Sequence, residues 1–204
     1  MHIEFLVEEP SMEAALGNLV PRALGTHDSY AIHAFQGKPD LLKKLPARLK
    51  AYARWISPNT RIVVLVDRDA DDCHELKARL NAMARSAGLI TRSDATGSGN
   101  FHVLNRVVVE ELEAWFLGDP SALRAAYPNL PPNLGNRRTY RDPDDIRGGT
   151  WEALQRVLQQ AGYYPTSIPK IEVARRVSAT MAPERNRSHS FQVFWQALQE
   201  MVSC

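Results

Sequence analysis

The sequence predicts an α/β domain with a central, largely parallel sheet, extended on its C-terminal side by a mostly helical segment. Three observations predict it. Over residues 1–117, short apolar runs alternate with longer segments whose apolar residues recur at helical spacing. One of those runs, Arg61-Ile62-Val63-Val64-Leu65-Val66, is apolar nearly throughout, as a strand buried on both faces must be. From Gly118 onward, prolines and glycines break up the chain before three helical patterns close it. Strands separated by helices of this length are the pattern of crossover connections in a parallel sheet covered on both sides.

The elements follow in order. Residues 2–7 form the first strand, and Pro10 and Ser11 punctuate its end. Ser11 is a candidate N-cap for a helix over residues 12–24. Residues 30–35 predict a second strand. Residues 40–56 repeat the helical pattern, with Leu41, Leu42, Leu45, Leu49, Tyr52 and Trp55 along one side. The third strand, 61–66, is followed by an amphipathic helix over 71–88 that ends at Gly88. Residues 89–92 and 103–109 are further strand candidates, and a helix starts at 110–117. Beyond it, Pro120, Pro128, Pro131, Pro132 and Pro143, with Gly135, Gly148 and Gly149, predict loops and short helices. Residues 151–161, 168–181 and 190–202 predict three helices. The expected division is an α/β domain over 1–117 with residues 118–204 packed on it as one compact unit. The chain shows no internal repeat and no low-complexity tract.

A chain of 204 residues with 44% hydrophobic residues builds one domain with a substantial core. A net charge of +2 announces no global nucleic-acid binder, but the charge is unevenly distributed. Residues 1–120 carry 14 Lys and Arg against 16 Asp and Glu; residues 121–204 carry 11 against 7. An acidic half beside a basic half suits a metal site facing a phosphate-binding surface, and it equally suits ordinary solvated faces. The two cysteines, Cys73 and Cys204, make neither a metal motif nor a disulfide framework, so a reducing, cytoplasmic setting is expected. The opening MHIEFLVEEP is too acidic, and its apolar run too short, for a signal peptide. No apolar stretch approaches the roughly 18 residues of a membrane span.

Carboxylates collect at strand ends. The third strand runs directly into Asp67, followed by Asp69, Asp71 and Asp72. Like charges this close are costly unless a cation or solvent compensates, and carboxylate oxygens suit Mg²⁺ or Mn²⁺. Asp71 and Asp72 serve equally well as caps of the following helix. The first strand ends the same way, in Glu8 and Glu9, with Glu13 on the next turn, where it also favours a helix N-terminus. The fourth run is followed by Glu110, Glu111 and Glu113, which combine candidate ligation with the same helix-start role.

These segments together resemble the Toprim fold. That family carries a glutamate at the end of its first strand in a pattern like V-E-G-P and an Asp-x-Asp at the end of a later strand. Val7-Glu8-Glu9-Pro10 matches with Glu9 in place of glycine, which leaves open which glutamate is functional; the apolar run favours Glu8. Val66-Asp67-Arg68-Asp69 matches the second motif. The resemblance covers about residues 1–115. It implies a Toprim-like Rossmannoid domain and Mg²⁺-dependent chemistry on phosphodiester bonds, as in topoisomerases, primases and OLD-type nucleases. EEPSMEAAL, EELEAWF and NRSHSFQVFW together look like an uncharacterised bacterial Toprim-related family, which implies an AAA-type or ABC-type ATPase partner in phage defence.

The expected function is therefore a metal-dependent nuclease or related phosphodiester-transfer enzyme acting on DNA or RNA. Asp67 and Asp69 would hold Mg²⁺ (or Mn²⁺), and Glu8 would ligate it or exchange protons. Glu13, Asp72, Glu111 and Glu113 are further candidate ligands. Arg137, Arg138, Arg141, Lys170 and Arg187 are candidate phosphate contacts on nucleic acid, although single surface bases are commonly only solubilising. Two alternatives stay open. A haloacid-dehalogenase-like phosphohydrolase also places Asp-x-Asp after an apolar strand, but its pattern wants Thr or Val where Ala70-Asp71 stands, and it leaves Glu8 unexplained. A non-catalytic Toprim-like partner or regulatory subunit of an ATPase would have a degraded site. Three weaker signals add little. Gly97-Ser98-Gly99-Asn100 reads as a flexible loop, since no Gly-Lys-Ser/Thr follows it. Asp72-Cys73-His74 lacks the partner pair of a zinc site. Trp151, Phe191, Phe194 and Trp195 read as core.

Overall fold

The computed structural model describes residues 1–96 and 101–203. The loop expected at 97–100 and the terminal Cys204 lie outside the described residues. Four strands form one sheet: β1 (His2–Val7), β2 (Ser29–Ala34), β3 (Thr60–Asp67) and β4 (Val103–Val108). Their order is β2-β1-β3-β4 and every pairing is parallel. Helices α1 (Pro10–Leu19), α2 (Lys38–Tyr52) and α3 (Cys73–Ser86) connect them. Five more follow β4: α4 (Glu113–Gly118), α5 (Pro120–Ala126), α6 (Thr150–Gln160), α7 (Lys170–Ser178) and α8 (His189–Val202). The sheet is thus all-parallel and covered on both sides, as its continuous apolar strands require.

The strand period of two divides the core. Phe5, Val7, Val63 and Leu65 face α1 and the C-terminal helices, while Leu6, Ile62, Val64 and Val66 face α2 and α3. Residues beyond 118 are therefore one wall of the sheet's own core. Trp115 is fully buried there; its ring stacks on Phe194 at 5.0 Å and meets Phe191 edge-on at 5.2 Å. Its indole N–H donates to Ser190 Oγ at 3.0 Å, so the polar handle of the ring is satisfied. Phe191, Phe194 and Trp195 are core as expected, whereas Trp151 is half-buried. The Asn186 amide donates to the Trp115 carbonyl at 2.7 Å, and a Cβ at Gly118 would collide with that side chain. Glycine is what allows this close approach.

Several local expectations shift for identifiable reasons. The first helix is capped by Glu9, in extended backbone, with Pro10 at its first position; Ser11 is inside it, its hydroxyl donating to Glu9. That helix tightens to a 3₁₀ turn over Val20–Arg22, where Pro21 lacks an N–H. The segment 89–92 contributes only a bridge, Thr91 to Val103, because Asp94 closes a turn on Thr91 directly afterwards. Trp55 is 58% exposed, because α2 stops at Tyr52 and its apolar stripe stops with it. Asp72, not Asp71, caps α3, accepting from the N–H groups of His74 and Glu75. No helix among the described residues is long and apolar enough to cross a membrane.

Candidate functional site

The order in which strands are added reverses between β1 and β3, since β2 lies to one side of β1 and β3 and β4 to the other. A parallel sheet opens a crevice at such a point, at the carboxyl ends of its strands. Glu8 directly follows β1 and Asp67 is the last residue of β3, so both stand at that crevice. The backbone N–H of Asp67 donates to Glu8 Oε2 at 3.0 Å, tying the two strand ends together. Glu8 is 8% exposed and Asp67 5%. A third carboxylate joins them from the start of α4, Glu113, only 2% exposed.

These groups are poorly compensated. Asp67 Oδ1 and Glu113 Oε2 are buried without a hydrogen-bond partner. Burial raises the Asp67 pKa well above the usual carboxylate range, and Glu113, Glu8, Glu9 and Asp69 raise it further. Burial likewise lifts Glu113 to about 7, with Lys170 opposing and Glu111 adding to the rise. Burial lifts Glu8 to about 7, against the Asp67 N–H bond that favours its charged form. Burial and neighbouring like charges thus act in the same direction, both disfavouring the ionised carboxylates.

Two lysines supply part of the missing charge, and sequence reasoning did not place either one here. Lys170, grouped in the sequence with surface bases, opens α7 with its ammonium 3.7 Å from Glu9 Oε1 and 4.7 Å above the Trp151 ring. Burial works to lower its pKa, but Glu113, Glu9, Glu111 and Asp67 outweigh burial and the net shift is upward. Lys38 opens α2 just past β2, pairing with Asp69 at 2.8 Å and Asp71 at 2.7 Å and donating to the Arg68 carbonyl at 2.9 Å. A lysine one residue after Gly37, at a third strand end, was the available signal for Lys38.

The remaining predicted residues divide by role. Asp67 and Asp69 do not converge. Asp69 takes a left-handed backbone, φ 49°, and its side chain is 48% exposed against Lys38. The loop is held there by the Asp69 N–H bond to the Glu110 carbonyl and by an Arg68–Glu110 ion pair. Glu9 is a rim residue and Glu8 the buried one. Glu13 is exposed on α1, and Asp72 is occupied as a cap. Glu111 accepts from Thr150 Oγ1 at 2.9 Å and the Trp151 N–H at 2.8 Å, which anchors the start of α6. Arg137, Arg138 and Arg141 are exposed in a loop of 3₁₀ turns. Arg187 pins that loop through the carbonyls of Gly135 and Tyr140.

Among the described residues, no three His, Cys, Asp or Glu side chains already stand in a metal-holding arrangement. The donor chemistry nevertheless fits a hard divalent cation. Asp67, Glu113 and Glu8 offer carboxylate oxygens, two of them with unused buried lone pairs. Residues 7–199 match the model of a family described as Domain of unknown function (DUF4276). Comparisons with curated proteins and with solved structures give no match.

Proposed function

The chain belongs to the DUF4276 family, and we propose that it is a divalent-cation-dependent enzyme that cleaves or transfers phosphodiester bonds of DNA or RNA. The observation that carries this reading is the pair of buried, partnerless carboxylate oxygens on Asp67 and Glu113, beside Glu8, at the crevice between β1 and β3. Desolvated carboxylates that raise one another's pKa are costly to ionise, and a cation would remove that cost. The likeness of Val7-Glu8-Glu9-Pro10 and Val66-Asp67-Arg68-Asp69 to Toprim motifs supports the same chemistry.

Asp67 and Glu113 would hold Mg²⁺ or Mn²⁺, with Glu8 as third donor or as proton carrier. The bound ion would neutralise phosphate charge and lower the pKa of an attacking water. Glu8 Oε2 is engaged by the Asp67 N–H, leaving Oε1 to bind the ion or to take and release a proton. Lys170, poised over the acidic group, would draw in and orient a phosphate oxygen. The test is hydrolysis of single- and double-stranded DNA and RNA by the purified chain with Mg²⁺ or Mn²⁺, alone and with a candidate ATPase partner. Cleavage that disappears in Asp67→Asn is the expected result; equal cleavage by Asp67→Asn would remove the proposal.

One observation favours a second reading. Asp69 is turned outward onto Lys38, so half of the Asp-x-Asp motif is spent on an ion pair. A non-catalytic subunit that regulates an ATPase would tolerate such a site. It predicts that Asp67→Asn leaves the activity of the ATPase assembly unchanged.

A further inference from the structure

A second charge imbalance lies on the opposite side of β4, the last strand of the sheet. A cavity of about 230 Å³ opens there between the first turns of α3 and α8, with Lys77, Arg106, His74, His189 and Cys73 in its lining. Lys77 reaches inward, its ammonium donating to the Asn105 carbonyl on the free edge of β4. The Nε of Arg106 is buried without a hydrogen-bond partner. Among the described residues, neither cation forms an ion pair with a carboxylate. Burial, then the neighbouring Arg106, pushes the Lys77 pKa down to about 8; burial and Arg92 also lower that of Arg106, with Glu200 opposing.

Two helix starts add partial positive charge to the same place. Two carboxylates at those starts are already engaged, and a third, Glu75 in the first turn of α3, is exposed. Asp72 accepts from the backbone of α3, and Asp144 from Ser188 Oγ and the Ser190 N–H of α8. The remaining walls include Val107, Val109 and Val193, apolar surface that suits the carbon skeleton of a ligand rather than more charge. We propose that this cavity binds a phosphate group carried on an organic moiety, one nucleotide unit in size, with Lys77 and Arg106 as the anion's partners.

The inference does not rest on the acidic site, although the two are neighbours. Val108, which lies between Val107 and Val109, is the pairing partner of Asp67 across β3 and β4. The cavity thus lies on the far side of β4, the strand next to β3, and adjacent strands are about 4.8 Å apart in a sheet. A polynucleotide laid over the carboxyl ends of the strands would reach both, whereas a free nucleotide needs the cavity alone.

The test is calorimetry on the intact chain in the presence of a chelator, so that metal binding plays no part. The probes are inorganic phosphate, a deoxynucleoside monophosphate and a short single-stranded oligonucleotide. Binding is expected for the nucleotide-bearing probes, with loss in Lys77→Gln/Arg106→Gln. Should that double variant not fold, His189→Glu decides. His189 is exposed at the first position of α8, where a carboxylate suits the helix, so the Tm holds while affinity drops about tenfold or more. Alkylation of Cys73 by iodoacetamide gives an independent readout, slowed by bound ligand in the wild type and not in His189→Glu. An oligonucleotide that binds more tightly than the mononucleotide identifies a nucleic-acid chain as the phosphate source; equal affinities identify a free nucleotide. Absence of binding by all three probes, or affinities unchanged in His189→Glu, overturns the proposal.

Discussion

Glu4 lies within strand β1 and Glu8 just past its end, each only 8% exposed, yet their environments push them in opposite directions. Glu4 is fully served: His2 Nε2 at 3.0 Å, His33 Nε2 at 2.7 Å and the Tyr52 hydroxyl at 3.0 Å all hydrogen-bond to it. Burial works to raise its pKa, but these bonds outweigh burial and hold it below the ordinary 4.5. Glu8 has one backbone N–H, and its neighbours Asp69 and Glu9 are carboxylates, so burial wins and its pKa rises to about 7. Burial alone therefore does not mark a functional carboxylate. What separates the two is their partners, and at the crevice between β1 and β3 Asp67 Oδ1 and Glu113 Oε2 are buried without any.

The largest expected effect separates the two glutamates in activity. Glu8→Gln should lower phosphodiester cleavage by roughly 10²–10⁴-fold, the usual worth of a positioned proton carrier, with the fold intact by circular dichroism. Glu4→Gln should leave cleavage unchanged and cost about 1–3 kcal/mol in denaturant unfolding, because its donors lose a charged acceptor. Equal activity losses in both variants would erase the contrast.

The pH dependence of stability should separate them next. Glu8 and Glu113 have folded pKa values raised from 4.5 to about 7, so their contribution to stability is complete below pH 4.5 and is lost as pH rises to about 7. Glu4 is depressed, so its contribution is present above pH 4.5 and lost as pH falls below it. Thermal melts of the metal-free protein should show Glu113→Gln gaining stability over wild type above pH 7, by roughly 1–3 kcal/mol, and no gain near pH 4. Added Mg²⁺ should reduce that difference by stabilising only the wild type.

Smaller effects test how the site was divided. Glu111→Gln should cost about 1–2 kcal/mol of stability, from its bonds to Thr150 and Trp151, without changing metal affinity. Lys38→Met should change stability by less than about 1 kcal/mol, since Asp69 and Asp71 are both about half-exposed partners.

Much of this was legible in the sequence because burial on both faces leaves a plain trace. RIVVLV could only be a central strand, and an aspartate directly after it had to stand at the sheet's carboxyl end. The strand-end position of Glu8 was legible for the same reason. Tertiary arrangements were not. Asp69 leaves the cluster through a left-handed backbone and a lysine from another helix, neither of which a pattern of charges reveals. Lys170 reaches the acidic group because α7 packs on α1, with the Asn18 amide bonded to Ser178 Oγ and the Arg175 carbonyl and the Arg22 guanidinium bonded to the Ser178 and Ala179 carbonyls. Glu113 looked like any helix-start glutamate, and only the packing of α4 makes it one of the most buried charges in the site.

The most direct test of the central claim, that the deficit at the crevice is a cation site, is calorimetric titration of Mg²⁺ and Mn²⁺ into wild type, Asp67→Asn/Glu113→Gln and Asp69→Asn. The account predicts saturable binding by wild type, none by the double variant, and binding retained by Asp69→Asn, whose side chain points away on Lys38. Binding that survives loss of Asp67 and Glu113, or a wild type that takes up neither ion, would contradict it.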